Sequence, residues 1–229
     1  MDPIFPPSPQ FVPTMIKDQA ADLLRQYIIT GKMPPGCKVT EREIAGVLGI
    51  GRMPARDALM ALEHEGLVLS RSDGRYVVDL KENDIRNIYT IRRMLEKTAV
   101  ELAAQNTSPT HQGRLNLRLH AIQQACESKD PNLSTPADLA LHEEIWRQSN
   151  NDYLVRILES MRGLIYVIVM QGSSFGTRDW EGLYLGHLNL VNFINQGDWQ
   201  AAGKHIEEAL ERSFVWNLKV LSLMKSEPR

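Results

Sequence analysis

The order of the elements predicted for the first 80 residues constrains the fold more than any other feature of this chain. Apolar residues recur at helical spacing from Thr14 to about residue 30. Thr40 and Glu43 form a capping box that begins a second, short helix, and a third helix runs from about Gly51 to Gly66. The sequence therefore predicts three helices, joined by turns that glycine and proline mark.

The period of the apolar pattern changes after the third helix. Leu67–Arg71 and Tyr76–Leu80 are short β-prone runs on either side of Ser72–Gly74, which is typical of a hairpin turn. Three helices followed by a hairpin are the element order of a winged helix-turn-helix domain. We therefore predict this fold for residues 14–80.

The rest of the sequence predicts helices only. From about residue 81 the pattern is helical throughout, with breaks at 106–109, 130–136, 150–152, 172–176 and 197. Six or seven helices are enough to bury a second core. We predict a mainly α-helical protein in three parts: a flexible, proline-rich arm (1–13), the winged helix-turn-helix domain (14–80) and an all-helical bundle (81–229).

Composition excludes several classes of protein. Lys and Arg number 26 against 28 Asp and Glu, for a net charge of −2, so any surface for nucleic acid must be local. Cys37 and Cys126 have no zinc-binding spacing, which favours a reducing compartment. The longest apolar run, Leu164–Met170, has seven residues, whereas a membrane span needs about 20. We expect a soluble, cytoplasmic protein with no membrane partner.

Two arginines near the start of the third helix are the first functional signal. Arg52 and Arg56 lie four residues apart on one helical face, where a cation opposes the helix dipole. The placement is favourable if a phosphate or a base edge meets this end of the helix. Arg42 on the second helix, with Arg71 and Arg75 on the hairpin, could flank the same surface. The alternative is that all five are ordinary solvated charges.

One acid and three histidines in the helical part form a candidate metal site. Asp138 and His142 are four residues apart, hence on one helical face, and His187 and His205 lie in two later helices. Aspartate and histidine are common ligands of zinc and other first-row divalent ions. Such spacing also arises by chance, so a solvated Asp beside a partly buried His is the alternative.

Four motifs resemble the GntR family of bacterial transcription regulators: Thr30–Gly36, Thr40–Ala45, Gly51–Leu59 and Leu62–Val68. The resemblance extends to about Leu223 and is to the FadR-like branch, which has an all-helical FCD effector domain. It implies that the DNA-contacting residues are Arg42, Arg52, Met53, Arg56, Arg71, Ser72 and Arg75. Gly51 stands where the family usually has Ser or Thr, so a better helix cap and one phosphate contact are missing.

The same resemblance implies a metal site. Asp138, His142 and His187 match three of the family's metal ligands, but the fourth position falls on Ala209. His205 precedes Ala209 by about one turn and could replace that ligand. Water could instead fill the position, or the site could bind an effector without a metal.

Two further residues match positions that face the effector in the FCD family. These are Arg92, in a segment that looks like the opening helix of the domain, and Asn151. A buried arginine needs a partner, and a carboxylate ligand would pair with it bidentately. A salt bridge to Glu96, four residues later, is the alternative.

We therefore expect a DNA-binding transcription regulator, a repressor, that binds a palindromic operator as a homodimer or a dimer of dimers. A small metabolite, an organic acid, would control its DNA affinity from the helical domain. The rival from another class is a metal-dependent hydrolase built on Asp138, His142 and His187, although the sequence supplies no dedicated nucleophile. A third reading is a winged helix that binds protein.

Overall fold

The computed structural model describes residues 15–173 and 179–226. The predicted arm at 1–13 and the predicted cap Thr14 lie outside these residues. The chain divides into two compact units, with the boundary between Val77 and Val78. None of the described helices is long and apolar enough to cross a membrane.

The N-terminal unit is a winged helix-turn-helix, as predicted. Its elements are α1 (Met15–Ile29), β1 (Lys38–Val39), α2 (Glu41–Leu48), α3 (Arg52–His64), β2 (Val68–Arg71) and β3 (Gly74–Val77). The three strands form an antiparallel sheet in the order β1-β3-β2. Its core contains the inner faces of α1 and α3, including Leu24, Leu59 and Leu62.

The hairpin differs from the predicted one in its second strand. Arg71 pairs with Gly74, and Val68 pairs with Val77, so β3 begins two residues earlier than expected and ends at Val77. Gly74 has φ of +145°, which glycine adopts without strain. The two-residue strand β1 was not predicted, because two residues carry no periodic signal.

The C-terminal unit contains six helices within the described residues. They are α4 (Glu82–Gln105), α5 (Pro109–Ser128), α6 (Pro131–Gln148), α7 (Asp152–Ser173), α8 (Trp180–Asn195) and α9 (Trp199–Ser226). Buried apolar residues from all six of these helices form one core cluster, to which α7 contributes Ile168, and a second cluster joins α4, α6 and α7. The fold is therefore mainly α, as expected.

The break predicted at 130–136 is wrong over most of its length. Asp130 caps α6 by accepting a hydrogen bond from the backbone N–H of Asn132, and the helix begins at Pro131. Pro136 lies inside α6, near its start. Pro136 has no N–H to donate to the carbonyl of Asn132, so α6 continues through it with one backbone hydrogen bond fewer.

Candidate functional sites

The start of α3 presents basic side chains to solvent. Gly51 occupies the cap position in an extended conformation, and as a glycine it offers no side-chain oxygen to the helix N–H groups. Arg52, Met53 and Arg56 are exposed, whereas Ala55 on the opposite face is fully buried. The exposed backbone N–H groups and the two guanidinium groups make this end of α3 attractive to anions.

Four of the predicted arginines line one concave surface of about 670 Å³ in the N-terminal unit. They are Arg42, Arg52, Arg71 and Arg75. Among the described residues, Arg56 and Met53 do not contribute to its lining. α2 is positioned by its Thr40 cap, whose hydroxyl accepts from the N–H of Glu43.

The hairpin β2–β3, which we call the wing, holds one arginine against an aromatic ring. The guanidinium carbon of Arg71 lies 4.9 Å from the ring centroid of Tyr76, a cation–π distance. The Tyr76 hydroxyl donates a hydrogen bond to Asp73, which lowers the pKa of that carboxyl. Arg71 and Ser72 are both exposed near the tip.

Arg75 differs from the other predicted DNA contacts. Its side chain is partly buried and forms ion pairs with Glu41 at 3.0 Å and Glu63 at 3.3 Å. These contacts join the wing to α2 and α3. Arg75 therefore has a role within the N-terminal unit, because its Nε and Nη1 already have carboxylate partners. Its contact with DNA stays a prediction.

Asp138, His142 and His187 come together in the C-terminal unit. Asp138 and His142 project from one face of α6, and His187 reaches them from α8. One ligand atom from each residue lies within 4.8 Å of the others. The distances from Asp138 Oδ1 are 2.5 Å to His187 Nε2 and 3.5 Å to His142 Nε2.

Both imidazoles are oriented through their second nitrogen. His142 Nδ1 lies 2.7 Å from Glu96 Oε2, and His187 Nδ1 lies 2.8 Å from the Leu183 carbonyl. These acceptors place a proton on each Nδ1 and turn each Nε2 toward Asp138. Asp138 Oδ1 is buried, and its 2.5 Å separation from His187 Nε2 is an ion-pair distance, although among the described residues no contact of this oxygen has hydrogen-bond geometry. An acceptor of this kind, facing two ring nitrogens, fits a divalent ion.

The charges around this group are strongly coupled. Burial alone would raise the pKa of Asp138, but the imidazoles of His187 and His142 hold it well below its usual range. Burial alone would lower the pKa of His142, but Glu96 and Asp138 raise it to about 10. The buried carboxyl of Glu96 has its pKa lowered to about 2 by Arg92 and His142. The site therefore favours positive charge between the two carboxylates.

His205 is not part of this group. Its Nε2 lies 2.8 Å from the Gly186 carbonyl, so Nε2 carries a proton and donates to that oxygen. Its ring packs beside Phe193, at 5.8 Å between centroids. The Gly186 carbonyl thus engages one of the two ring nitrogens of His205, and the role of this residue as the fourth ligand stays a prediction.

Asn151 also differs from its predicted role. Its Oδ1 accepts a hydrogen bond from the N–H of Leu154, 3.1 Å away, so Asn151 caps the start of α7. Among the described residues it does not line the cavity that contains the metal-ligand candidates. The cap uses the side-chain oxygen of Asn151, and its contact with an effector stays a prediction.

A cavity of about 580 Å³ opens beside Asp138, His142 and His187. Arg92 lines it, and so do His205 and Ala209. Arg92 is only 5% exposed, and its Nε donates to Glu96, so the alternative salt bridge is present. The salt bridge is compatible with an effector contact, because Arg92 also lines the cavity wall, and that contact stays a prediction.

Two family models match this chain. "Bacterial regulatory proteins, gntR family" matches residues 16–78, and "FCD domain" matches residues 87–212. The chain belongs to the GntR family. This GntR-family protein is a transcription regulator with an FCD domain. The alternative hypothesis of a metal-dependent hydrolase is therefore wrong, because the family and the named relatives are regulators rather than enzymes.

Named relatives of this regulator include repressors. It is 30% identical to the "Probable D-xylose utilization operon transcriptional repressor" of Paenarthrobacter nicotinovorans, over 82% of this chain and 83% of that protein. It is 25% identical to the gluconate operon transcriptional repressor of Bacillus licheniformis, over 64% and 60% of the two chains. The solved structure of E. coli McbR/YncC has the same fold, with a TM-score of 0.77 and 20% identity over 94% of this chain and 100% of that one.

Several polar residues of the regulator's cavity were not predicted. Asn217 is buried and donates to the hydroxyl of Tyr89, 3.1 Å away, and to the carbonyl of Ser213. The indole N–H of Trp216 donates to the Gly172 carbonyl. Trp216 and Asn217 lie on α9 and line the cavity. No motif in the sequence marks them, because only the packing of α9 turns them toward the cavity.

Proposed function

We propose that this regulator binds a two-fold symmetric DNA operator as a homodimer, and that a small carboxylate held in its C-terminal cavity controls the DNA affinity. The observation that carries the DNA part is the exposed pair Arg52 and Arg56 at the uncapped start of α3. The relatives named as operon repressors support repression as the direction of control.

The chemistry of the DNA surface divides between base reading and phosphate binding. Arg52 and Arg56 project from the leading turns of α3, where a recognition helix meets base edges in the major groove. Arginine can bind guanine through two hydrogen bonds. Arg42 on α2 and Arg71 on the wing line or flank the same concave surface and are placed to contact phosphates or the minor groove.

Binding a symmetric operator requires a second copy of the chain, because one recognition helix reads only a few base pairs. Apolar side chains on α4 and α7 are available for this contact. Leu95 of α4 packs with Leu154 and Leu158 of α7 in one buried cluster. Exposed apolar residues on the same two helices are Ile91 and Met94 of α4 and Tyr153 and Ile157 of α7. We propose that these residues form the dimer interface.

The ligand proposal rests on the cavity. Its volume of about 580 Å³ is in the usual range for small-molecule sites, and its wall combines apolar side chains with Arg92 and the Asp138 group. Asp138, His142 and His187 would hold the divalent ion. Such an ion, when bound, attracts and orients carboxylate oxygens as a Lewis acid. Ala209 lines the same cavity and offers no ligand atom, so three protein donors leave room for the effector's own oxygens.

One experiment tests the DNA part. Sites are selected from random duplexes with the purified protein and then footprinted, and the mass of the complex is measured by light scattering. The proposal predicts a two-fold symmetric footprint and two chains per duplex. Met94→Glu should give a monomer with weaker operator binding, whereas a monomer that binds one asymmetric site at full affinity would contradict the proposal.

A thermal-shift screen tests the ligand part. Untagged protein is incubated with carboxylic acids, each with and without Zn²⁺ or Mn²⁺. A ligand that binds only the folded state raises the melting temperature by mass action. The proposal predicts a carboxylate whose effect depends on the metal and whose presence changes operator affinity. By linkage, operator DNA must change the affinity for that carboxylate by the same factor.

A further inference from the structure

Glu96 lies between two groups of the cavity wall without lining the cavity. Its side chain is fully buried. One carboxylate oxygen, Oε1, accepts a hydrogen bond from Arg92 Nε, and the other, Oε2, lies 2.7 Å from His142 Nδ1. Arg92 and His142 both line the cavity. A single buried carboxylate thus joins the guanidinium group to a candidate metal ligand.

We propose that Glu96 is the positioning residue of the metal site: it fixes the His142 ring with Nε2 toward Asp138, and Arg92 in turn fixes Glu96. This inference rests on the proposed function, because it concerns the metal site of the same cavity. Glu96 is not one of the three residues that would hold the ion.

The chemistry of imidazole explains why a carboxylate at this place matters. A neutral ring has one N–H and one acceptor nitrogen, and an ionised carboxylate can only accept. Glu96 therefore holds the proton on Nδ1 and leaves the lone pair of Nε2 for the ion, and its negative charge makes the ring a stronger ligand. His187 has a neutral carbonyl in the equivalent place. The two imidazoles are thus supported unequally.

Arg92 pairs with the carboxylate oxygen of Glu96 that does not contact His142. A fully buried carboxylate without a cation would be costly, and the Arg92 guanidinium supplies that cation. Because Arg92 also lines the cavity, an anion bound there would share the guanidinium with Glu96. Glu96 is therefore placed where anion binding and metal binding can influence each other.

The test measures binding of the metal alone to Glu96→Gln. Glutamine keeps the size of the side chain and can still accept from Nδ1, but it lacks the charge. We expect Zn²⁺ affinity, measured by competition with a chelator, to fall about 10- to 100-fold, the range found for such outer partners. The visible spectrum of bound Co²⁺ should change as well, because it reports ligand geometry. A purely structural role for Glu96 would leave that spectrum unchanged.

The matched control is Glu144→Gln. Glu144 is also a buried glutamate, and its Oε1 accepts from Gln148 Nε2 at 3.0 Å, outside the cavity lining. This variant should bind Zn²⁺ and Co²⁺ like the unaltered protein. Equal loss of affinity in both variants would contradict a specific role for Glu96.

Two further measurements apply if Glu96→Gln does not fold. The double variant Arg92→Met/Glu96→Gln removes both buried charges and should fold, with the same loss of Zn²⁺ affinity. In the unaltered protein loaded with metal, ¹⁵N NMR should show His142 with Nδ1 protonated and Nε2 bound. Ligation through Nδ1, or full affinity of either variant, would overturn the inference alone. Absence of metal binding by the unaltered protein would instead remove the metal part of the proposed function, and the inference with it.

Discussion

The two units of this regulator use the same residue types in opposite ways. In the N-terminal unit Arg42, Arg52, Arg56 and Arg71 are exposed to solvent. In the C-terminal unit Arg92 is buried against Glu96. Exposed cations suit a large polyanion, which brings many phosphates to a surface. A buried cation suits a small ligand, because its neighbours already hold it in place before the ligand arrives.

The difference has an energetic cause. An exposed guanidinium group is hydrated, so removing it changes the free energy of unfolding little. A buried one needs an ionic partner, and removing either member leaves an uncompensated charge in the interior. We therefore expect function and stability to be separable at the exposed arginines and inseparable at the buried one.

The largest expected effect contrasts Arg92→Met with Arg52→Met. Arg92→Met leaves Glu96 buried without its guanidinium partner, so we expect a loss of about 3–5 kcal/mol in the free energy of unfolding. Arg52→Met should change it by less than about 0.5 kcal/mol. Urea denaturation followed by circular dichroism measures both. Equal losses of unfolding free energy in the two variants would contradict the assignment of Arg92 as a buried, paired cation and Arg52 as an exposed one.

The next effect concerns the two histidines of the cavity. His187→Ala removes a candidate ligand and should lower Zn²⁺ affinity by more than the roughly 10- to 100-fold expected for an outer partner. His205→Ala should leave the affinity within a few-fold, since its Nε2 donates to the Gly186 carbonyl. Isothermal titration with chelated Zn²⁺ gives both values. A loss confined to His205→Ala would restore the role that the sequence predicted for it.

A smaller effect is expected for DNA recognition. Arg52→Met should reduce the preference for operator over random DNA by about 1–3 kcal/mol, the value of one bidentate base contact. Arg42→Met should weaken binding to all sequences alike and reduce the slope of affinity against salt by about 1. Arg118→Met, an exposed arginine on α5, is the control. Fluorescence anisotropy at several salt concentrations distinguishes these outcomes.

Much of the fold could be predicted from the sequence, because local signals determine it. The Thr40 capping box begins α2 as expected, and the apolar spacing placed Ala55, Leu59 and Leu62 on the inner side of α3. The predicted helix bounds were wrong where a proline lies inside a helix. Pro136 suggested a loop but lies inside α6, which continues through the loss of one backbone hydrogen bond.

The candidate metal site shows which contacts between residues can be predicted from sequence spacing and which cannot. Asp138 and His142 share a helix, so their four-residue spacing fixes their common face. His187 and His205 lie on different helices, and only their packing decides which ring reaches Asp138. Glu96 was recognised as a partner of Arg92 within α4, but its contact with His142 joins α4 to α6. No spacing within one helix predicts such a contact.

The smallest effect concerns the glycine that caps the recognition helix. Gly51 has φ of −67° and ψ of 160°, an extended conformation that serine adopts freely, and a Cβ there would meet Pro54 at 3.5 Å, an ordinary contact. Gly51→Ser should therefore raise stability by a few tenths of a kcal/mol, because serine exceeds glycine by about that much as a cap. The hydroxyl would also lie beside the backbone N–H groups that, under the proposed function, bind a phosphate. Operator affinity should thus rise slightly, whereas Gly51→Ala, which adds a Cβ without an oxygen, should give neither gain.

Equal gains in stability and operator affinity for alanine and serine would show that the start of α3 does not bind an anion through its N–H groups. The contrast between exposed arginines that bind an external anion and a buried arginine paired within its own unit would then lose its main support.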